Sequence, residues 1–298
     1  MDKLTAMRTF AAVARKGSYT AAARTLGISI KLASKQVQVL EADLRTRLLN
    51  RTTRSVTLTD TGRAYLQRCR PILEQIDELD ALVRERQGAL AGTIRITAPT
   101  SFGATELADA LASFLTDHPE VEVELRLSDS RVAVVEEGFD LAVRIGTMRD
   151  TTLVAQQLSA MPLVLCAAPA YLDRHGWPQH PQALATHRCL VDDTLSDARV
   201  WRFRRGHEET AVEIRGPMRA NAPRAIGRLA EGGLGIGRVP LYVAREALHE
   251  GRLQALLPGW TAPTYGLFAL YPPNRQLTAR VRALLDHLGE AFGQKSAA

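Results

Sequence analysis

The chain has 298 residues, a formal net charge of +6, three cysteines and an apolar fraction of 46%, which is length for more than one folded unit and apolar content for real cores. It has no run of about 18 apolar residues and no basic-then-apolar leader, so neither a membrane-spanning helix nor export is predicted and the expected location is the cytoplasm. Cys69, Cys166 and Cys189 are too few and too scattered for a disulfide framework or a zinc cluster, and no metal or cofactor is expected.

Charge is unevenly spread. Residues 1–70 hold 14 Lys and Arg against 4 Asp and Glu, whereas the remainder holds 24 against 28. A basic head on a mildly acidic body suits a polyanion-binding segment joined to one that binds something else.

In that head, Leu4, Met7, Phe10, Val13 and Ala14 recur at helical spacing and Gly17 supplies a stop. "SYTAAARTL" predicts a second short helix capped by Ser18 and ended by Gly27. Ser29 then caps a third, whose inward stripe is Ala33, Val37, Leu40 and Leu44. Two helices joined by a short glycine-containing turn make a helix-turn-helix. The residues left outside are Ile30, Lys31, Ser34, Lys35 and Gln38, in the half of the second helix that enters a major groove. Lysine can donate to guanine or phosphate, glutamine can pair with adenine, and an isoleucine can meet a thymine methyl; acids are absent until Glu41. "LLNRTTRSVTLT" follows as two short β-like runs around a polar turn, a wing in which Arg51, Thr52, Thr53 and Arg54 face phosphates. With Ser18 and Ser29, these complete the expected DNA-binding set.

The pattern from Leu4 and Phe10 through "GSYTAAARTLGIS", Ser34, "VQVLE" and "NRTTRSVTLTDTG", continuing in "EEGFDLAVRIG", "AAPAYLDRHG" and "EGGLGIGRVP", resembles the LysR-type transcriptional regulators. Arg45 stands where that family usually has glycine and Leu49 where it has phenylalanine; Ile30, Lys31, Leu32 and Val39 replace commoner recognition-helix residues. The resemblance implies a winged helix-turn-helix, a long helix that pairs two subunits, and a two-lobed α/β body similar to a periplasmic binding protein, with an effector in its cleft. The partners it implies are double-stranded operator DNA, a small effector, further copies of the chain as a dimer or tetramer, and RNA polymerase.

Thr59 can cap a long helix over residues 60–87, in which Cys69, Ile72, Ile76, Leu79 and Val83 alternate by three and four like a short coiled-coil seam. Pro71 within it removes a hydrogen bond, so a kink or a restart is expected there.

From residue 89, strand and helix alternate: "TIRIT", a helix over 103–117, "VEVELRL", a helix near 131–138 and "DLAVRIG". Such alternation predicts a mostly parallel sheet. The expected division is a winged helix-turn-helix over 1–59, a dimerisation helix over 60–88 and an effector-binding body over 89–298. Within the body, lobe I takes 89–161 and 266–298 and lobe II takes 162–265. Open α/β sheets bind ligands beyond the carboxyl ends of their strands and at helix N-termini. That rule selects Thr100, Ser101 and Phe102 after the first strand, Ser128 and Asp129 after the second, Ile145 and Gly146 after the third, and Asn221 as the cap of a helix at about 222–231. Hydroxyls, an amide and free N–H groups suit a small carboxylate or phenolic ligand.

No catalytic residue is expected. "GGLGIG" lacks the dinucleotide-binding order, and G-x-S-x-G, H-E-x-x-H and P-loop motifs are absent. The alternative reading is a redox-sensing regulator using Cys166 and Cys189, whose spacing does not resemble the close pair of the family's peroxide sensors.

Overall fold

The computed structural model describes residues 2–51, 56–85, 90–130, 134, 137–147, 152–195, 197–273 and 277–295, the side chains of 51, 74, 77, 78, 80–85, 294 and 295 excepted. It divides into two compact units, Met1–Leu90 and Ala91–Ala298.

The first unit contains α1 (Lys3–Lys16), α2 (Tyr19–Leu26), α3 (Ile30–Asp43), strands β1 (Leu49–Arg51) and β2 (Val56–Leu58), and α4 (Asp60–Glu85). Each of the first three helices starts on a side-chain cap: Asp2, Ser18 and Ser29 accept from N–H groups of the first turn, and Gly17 and Gly27 end α1 and α2 at φ +60° and +64°. Ala6, Phe10, Val13, Ala22, Val37, Leu40, Leu48 and Leu49 form the core. Gln36 is also buried, and Thr9 Oγ1 donates to its Oε1 at 2.5 Å. Glu41 accepts from the backbone N–H of Leu48 and Leu49 at 2.8 and 3.1 Å, which fastens the recognition helix to the first strand of the wing.

The end of α3 explains the odd residue at 45. Arg45 N–H bonds to Ala42 O and Thr46 N–H to Glu41 O, the paired bonds of a Schellman cap, which puts the residue at 45 in the left-handed region at φ +51°. Glycine adopts that conformation freely and arginine does not.

Thr59 caps α4 as expected, with Gly62 N–H donating to its Oγ1 at 2.9 Å. A Cβ on Gly62 would lie 1.9 Å from Leu48 O, so only glycine lets this helix approach the wing so closely. Of the kink or restart expected at Pro71, the restart does not occur: α4 runs through it as one helix.

The second unit begins with β3 (Gly92–Ala98), α5 (Thr100–Gly103), α6 (Glu106–Asp117), β4 (Val121–Leu127), β5 (Leu141–Gly146) and β6 (Val154–Met161). It crosses to β7 (Leu163–Ala167), α7 (Pro169–His175), β8 (Cys189–Asp192), the hairpin β9 (Val200–Arg205) and β10 (Glu208–Glu213), β11 (Arg219–Ala220), α8 (Pro223–Glu231), β12 (Ile236–Pro240), α9 (Leu241–His249) and β13 (Gln254–Ala255). It returns through β14 (Tyr265–Tyr271) to α10 (Ala279–Lys295). The result is two five-stranded sheets, β4-β3-β5-β14-β6 in lobe I and β11-β8-β12-β7-β13 in lobe II. The helix expected near 131–138 falls largely outside the described residues.

The sheets are mixed rather than mostly parallel. β3 pairs in parallel with β4 and β5, and β8 with β11 and β12, but β14 runs against β5 and β6, and β7 against β12 and β13. The cause is the double crossover: the chain enters lobe II on β7 and re-enters lobe I on β14, so each arrives against its new neighbours.

A buried ion pair anchors lobe II. Arg238, on the central strand β12, is 1% exposed and gives two hydrogen bonds to the Asp197 carboxylate at 2.9 and 2.7 Å, with its guanidinium over the Trp201 ring. Tyr265, the first residue of β14, donates to Asp197 Oδ1 at 2.6 Å. Burial pushes the Asp197 carboxyl up, but the bonds from Arg238 and Tyr265 together outweigh it and hold the group below its usual 3.8. Its contribution to stability is therefore present above that value and is lost as pH falls below it.

Two outcomes are expected. Arg238→Met leaves Asp197 buried without its cation and should cost about 3–5 kcal/mol of unfolding free energy, against about 1.5–3 kcal/mol for Tyr265→Phe, both read by denaturant titration; equal small losses would show that the pair carries no such weight. Arg45→Gly should instead stabilise the first unit by about 0.5–1 kcal/mol, the left-handed strain relieved less the added freedom of the unfolded chain, and a loss of stability would contradict this reading of the cap.

Candidate nucleic-acid interface and ligand cleft

Burial of Ala33, Val37 and Leu40 turns one face of α3 inward, which leaves Ile30, Lys31, Leu32, Lys35, Gln38 and Val39 exposed and Ser34 half-buried. Lys31, Lys35 and Gln38 form no side-chain hydrogen bond or ion pair among the described residues. Ser18 and Ser29 are occupied as caps, so their hydroxyls already accept from Ala21 and Leu32 N–H. Arg51 lies in β1, with its side chain outside the described residues, as are Thr52, Thr53 and Arg54 entirely. Lys31, Lys35 and Gln38 can donate to phosphates and base edges without first breaking a side-chain bond among the described residues.

Along α4 the expected seam divides. Cys69 is 2% exposed and belongs, with Leu73, to the core around Phe10 rather than to the outer face. Ile72 is 48% exposed, Leu79 is 63% exposed and Ile76 is half-buried, so these three form the outward apolar stripe; the side chain of Val83 is not described. A repeat of three and four serves either face of a helix equally well, and only the packing of α4 on α1 separates them.

In the second unit the carboxyl ends of the strands meet. Ser101, at the start of α5 in lobe I, accepts at Oγ from Arg224 N–H, at the start of α8 in lobe II, at 3.3 Å. Beside it Phe102, 1% exposed, packs edge-on against Tyr242 of α9, with centroids 5.5 Å apart, and against Phe292 of α10. Phe102 is thus a ring of the seam between the lobes and presents almost no surface of its own. Thr100 is exposed and its N–H bonds to Asp129 Oδ1 at 3.0 Å, so two separately selected residues, each following a different strand, are brought together. Ser128 is half-buried, its Oγ accepting from Ser130 N–H. Ile145 and Gly146 end β5 half-buried.

Asn221 does not cap α8. That position is Ala222, without a side-chain bond, because α8 starts at Pro223, one residue later than expected, and Asn221 is exposed; the N–H of Arg224, at the second helical position where a cap would act, donates to Ser101 Oγ instead. The selection also missed Tyr242, Arg224 and Asp192 in lobe II and Arg144 in lobe I. Tyr242 and Asp192 follow the rule already applied, because "VPLY" is a strand-to-helix junction and Asp192 ends β8. Arg144 donates to Thr97 Oγ1 at 3.3 Å and to Val143 O; burial lowers its pKa against the opposing pull of Asp129 and Glu137. Burial pushes the Tyr242 hydroxyl up.

Cys166 and Cys189 are buried in clusters on opposite faces of the lobe II sheet, and burial pushes each thiol up to about 12. Among the described residues, no group of three or more His, Cys, Asp or Glu is placed to hold a metal ion, and no helix is long and apolar enough to cross a membrane. A separate cavity of about 650 Å³ lies on the outer hairpin of lobe II, lined by Arg202, Arg204, Ala211 and Thr261 among others, and takes in none of the cleft residues.

Comparison with known proteins agrees with both units. The profile of the bacterial regulatory helix-turn-helix protein, lysR family, matches residues 4–63, and that of the LysR substrate binding domain matches residues 87–293. The HTH-type transcriptional regulator PtxR of Pseudomonas aeruginosa is 39% identical over 286 residues, covering 96% of this chain and 92% of that protein. Among solved structures, the full-length virulence activator AphB of Vibrio cholerae is 27% identical at a TM-score of 0.60, covering 97% of this chain and 98% of that one. The regulator CrgA of Neisseria meningitidis is 27% identical at 0.63, with the same coverage.

Substitution should separate two kinds of contact on α3. Lys35→Ala removes a phosphate-seeking charge and should flatten the dependence of log affinity on log salt by about one unit, for all DNA sequences alike. Gln38→Ala should change sequence preference, by about 1–3 kcal/mol at one base pair if it pairs with a base edge. Unaltered titrations for both on a panel of operator variants would remove this face from the interface.

Proposed function

Because this chain belongs to the LysR family of bacterial transcriptional regulators, we propose that a small molecule bound between the lobes of its second unit adjusts the operator binding of its helix-turn-helix unit. The observation that supports the reading is the hydrogen bond from Arg224 N–H to Ser101 Oγ across the seam, since it joins the starts of helices from opposite lobes, a position from which one ligand could reach both. Two symmetry-related α3 helices would read the two half-sites of an interrupted palindrome. The outward stripe of Ile72, Ile76 and Leu79 supports pairing through α4 into a dimer, and two dimers would make a tetramer. The site of action would be the cytoplasm, with RNA polymerase as the further partner and no reaction catalysed. The hydroxyls of Thr100 and Ser128 on the lobe I side, with Arg144 on the neighbouring strand β5, suit an oxygen-bearing ligand such as a carboxylate or phenol.

The redox alternative draws no support from the cysteines. A thiol held near 12 is protonated at neutral pH, and thiolate is the reactive form. Two sulfurs on opposite faces of a sheet also cannot be bridged without rebuilding it.

A thermal-shift screen of small metabolites on the full chain should identify stabilising ligands, since a molecule that binds only the folded state raises the melting temperature. With such a ligand in hand, Ser101→Ala and Thr100→Val should raise the concentration needed for half-maximal change in operator affinity by about fivefold or more, the effect of losing one buried hydrogen bond. If both variants respond at the wild-type concentration, the ligand acts elsewhere.

A further inference from the structure

The lobe seam holds a buried carboxylate that is only half satisfied. Asp192 ends β8 at the same carboxyl edge of lobe II from which α8 and α9 reach lobe I, and it is 2% exposed. Its Oδ1 is fully engaged, accepting from Thr194 N–H at 2.9 Å and Thr194 Oγ1 at 2.6 Å. Its Oδ2 is buried and has no hydrogen-bond partner among the described residues. Arg238, whose field reaches it, gives two bonds to Asp197, and its buried Nε has no hydrogen-bond partner among the described residues. From lobe I, Asp129 adds a like charge. Tyr242 stands in the field of both carboxylates and of Glu106, with Arg224 as the opposing cation.

We propose that the molecule held between the lobes carries a cationic N–H donor, most simply a primary ammonium, that bonds Asp192 Oδ2 and is flanked by Asp129 from the opposite lobe. This rests on the cleft reading above and adds the ligand's chemistry to it. A half-satisfied buried carboxylate is costly, and a second carboxylate nearby makes it more so. An ammonium brings three donors and a positive charge, matching the acceptors of Asp192, Asp129 and Tyr242, and bonds to charged groups are the strong ones. An anionic group set against Asp192 Oδ2 would meet like charge. Any carboxylate or phenol the ligand also bears belongs on the lobe I side, near Thr100 and Arg144. Burial raises the Asp192 carboxyl above its usual value, as follows for a carboxylate whose counter-charge is to arrive with a ligand.

The test uses the full chain and matched probes: tyramine, tyrosine, 4-aminobutyrate and putrescine against 3-(4-hydroxyphenyl)propanoate, butyrate and succinate. Binding is read by isothermal titration and thermal shift. At least one amine should bind, and its Kd should weaken about tenfold or more in Asp192→Asn, with a smaller loss in Asp129→Asn, a half-exposed position that tests the same site should the first variant fail to fold. Binding of the deaminated acids alone, weakened by Ser101→Ala, would overturn the ammonium while leaving the cleft in place. Amine binding at wild-type affinity in Asp192→Asn, Asp129→Asn and Ser101→Ala would overturn both readings. No binding by any amine probe would overturn the ammonium as well.

Discussion

The second unit depends on a fully buried arginine. Taking the charge of Arg238 out of water on the central strand of lobe II is tolerable only because Asp197 meets it with two bonds and Trp201 lies against its face. Tyr265 extends this arrangement beyond lobe II, since it opens the strand that returns to lobe I and donates to the same carboxylate. One ion pair thus fixes the loop before β9, the middle of the lobe II sheet and the start of the return crossover.

What crosses the cleft is weak by comparison. A single hydrogen bond from Arg224 N–H to Ser101 contributes about 0.5–1.5 kcal/mol, and an edge-on ring pair such as Phe102 and Tyr242 about as much beyond its buried area. A seam worth a few kcal/mol lies within the range that the differential affinity of one small molecule can offset. The strong contacts hold lobe II and the start of the strand returning from it, while α5 meets α8 and α9 through modest ones.

The first unit shows a similar division of labour among its polar residues. Gln36 and Glu41 sit on the recognition helix and could be read as contacts to DNA, yet Gln36 is turned inward to Thr9 and Glu41 holds the strand that begins the wing. Ser18 and Ser29 set the helix starts. What remains for an external partner is a short face of lysines, a glutamine and apolar residues, held by neighbours whose own hydrogen bonds are internal.

Much of this was legible in the sequence because it rests on local rules. The stops at Gly17 and Gly27, the caps at Ser18, Ser29 and Thr59, the inward stripe of Ala33, Val37 and Leu40, and "VEVELRL" as a strand are properties of segments a few residues long. The strand-to-helix junctions at Thr100 and Ser101 were legible for the same reason. Local pattern could not decide which face of α4 packs, and so could not separate buried Cys69 from exposed Ile72. Nor could it show that α4 continues through Pro71, that α8 starts one residue later than expected and leaves Asn221 outside the cap, or that the crossover strands run against their neighbours. Asp197, Arg238 and Tyr265 carried no signal at all as a group. They are distant along the chain and meet only where a sheet strand, a loop and a returning strand converge, and a buried charge can be recognised as such only when its partner's position in space is known.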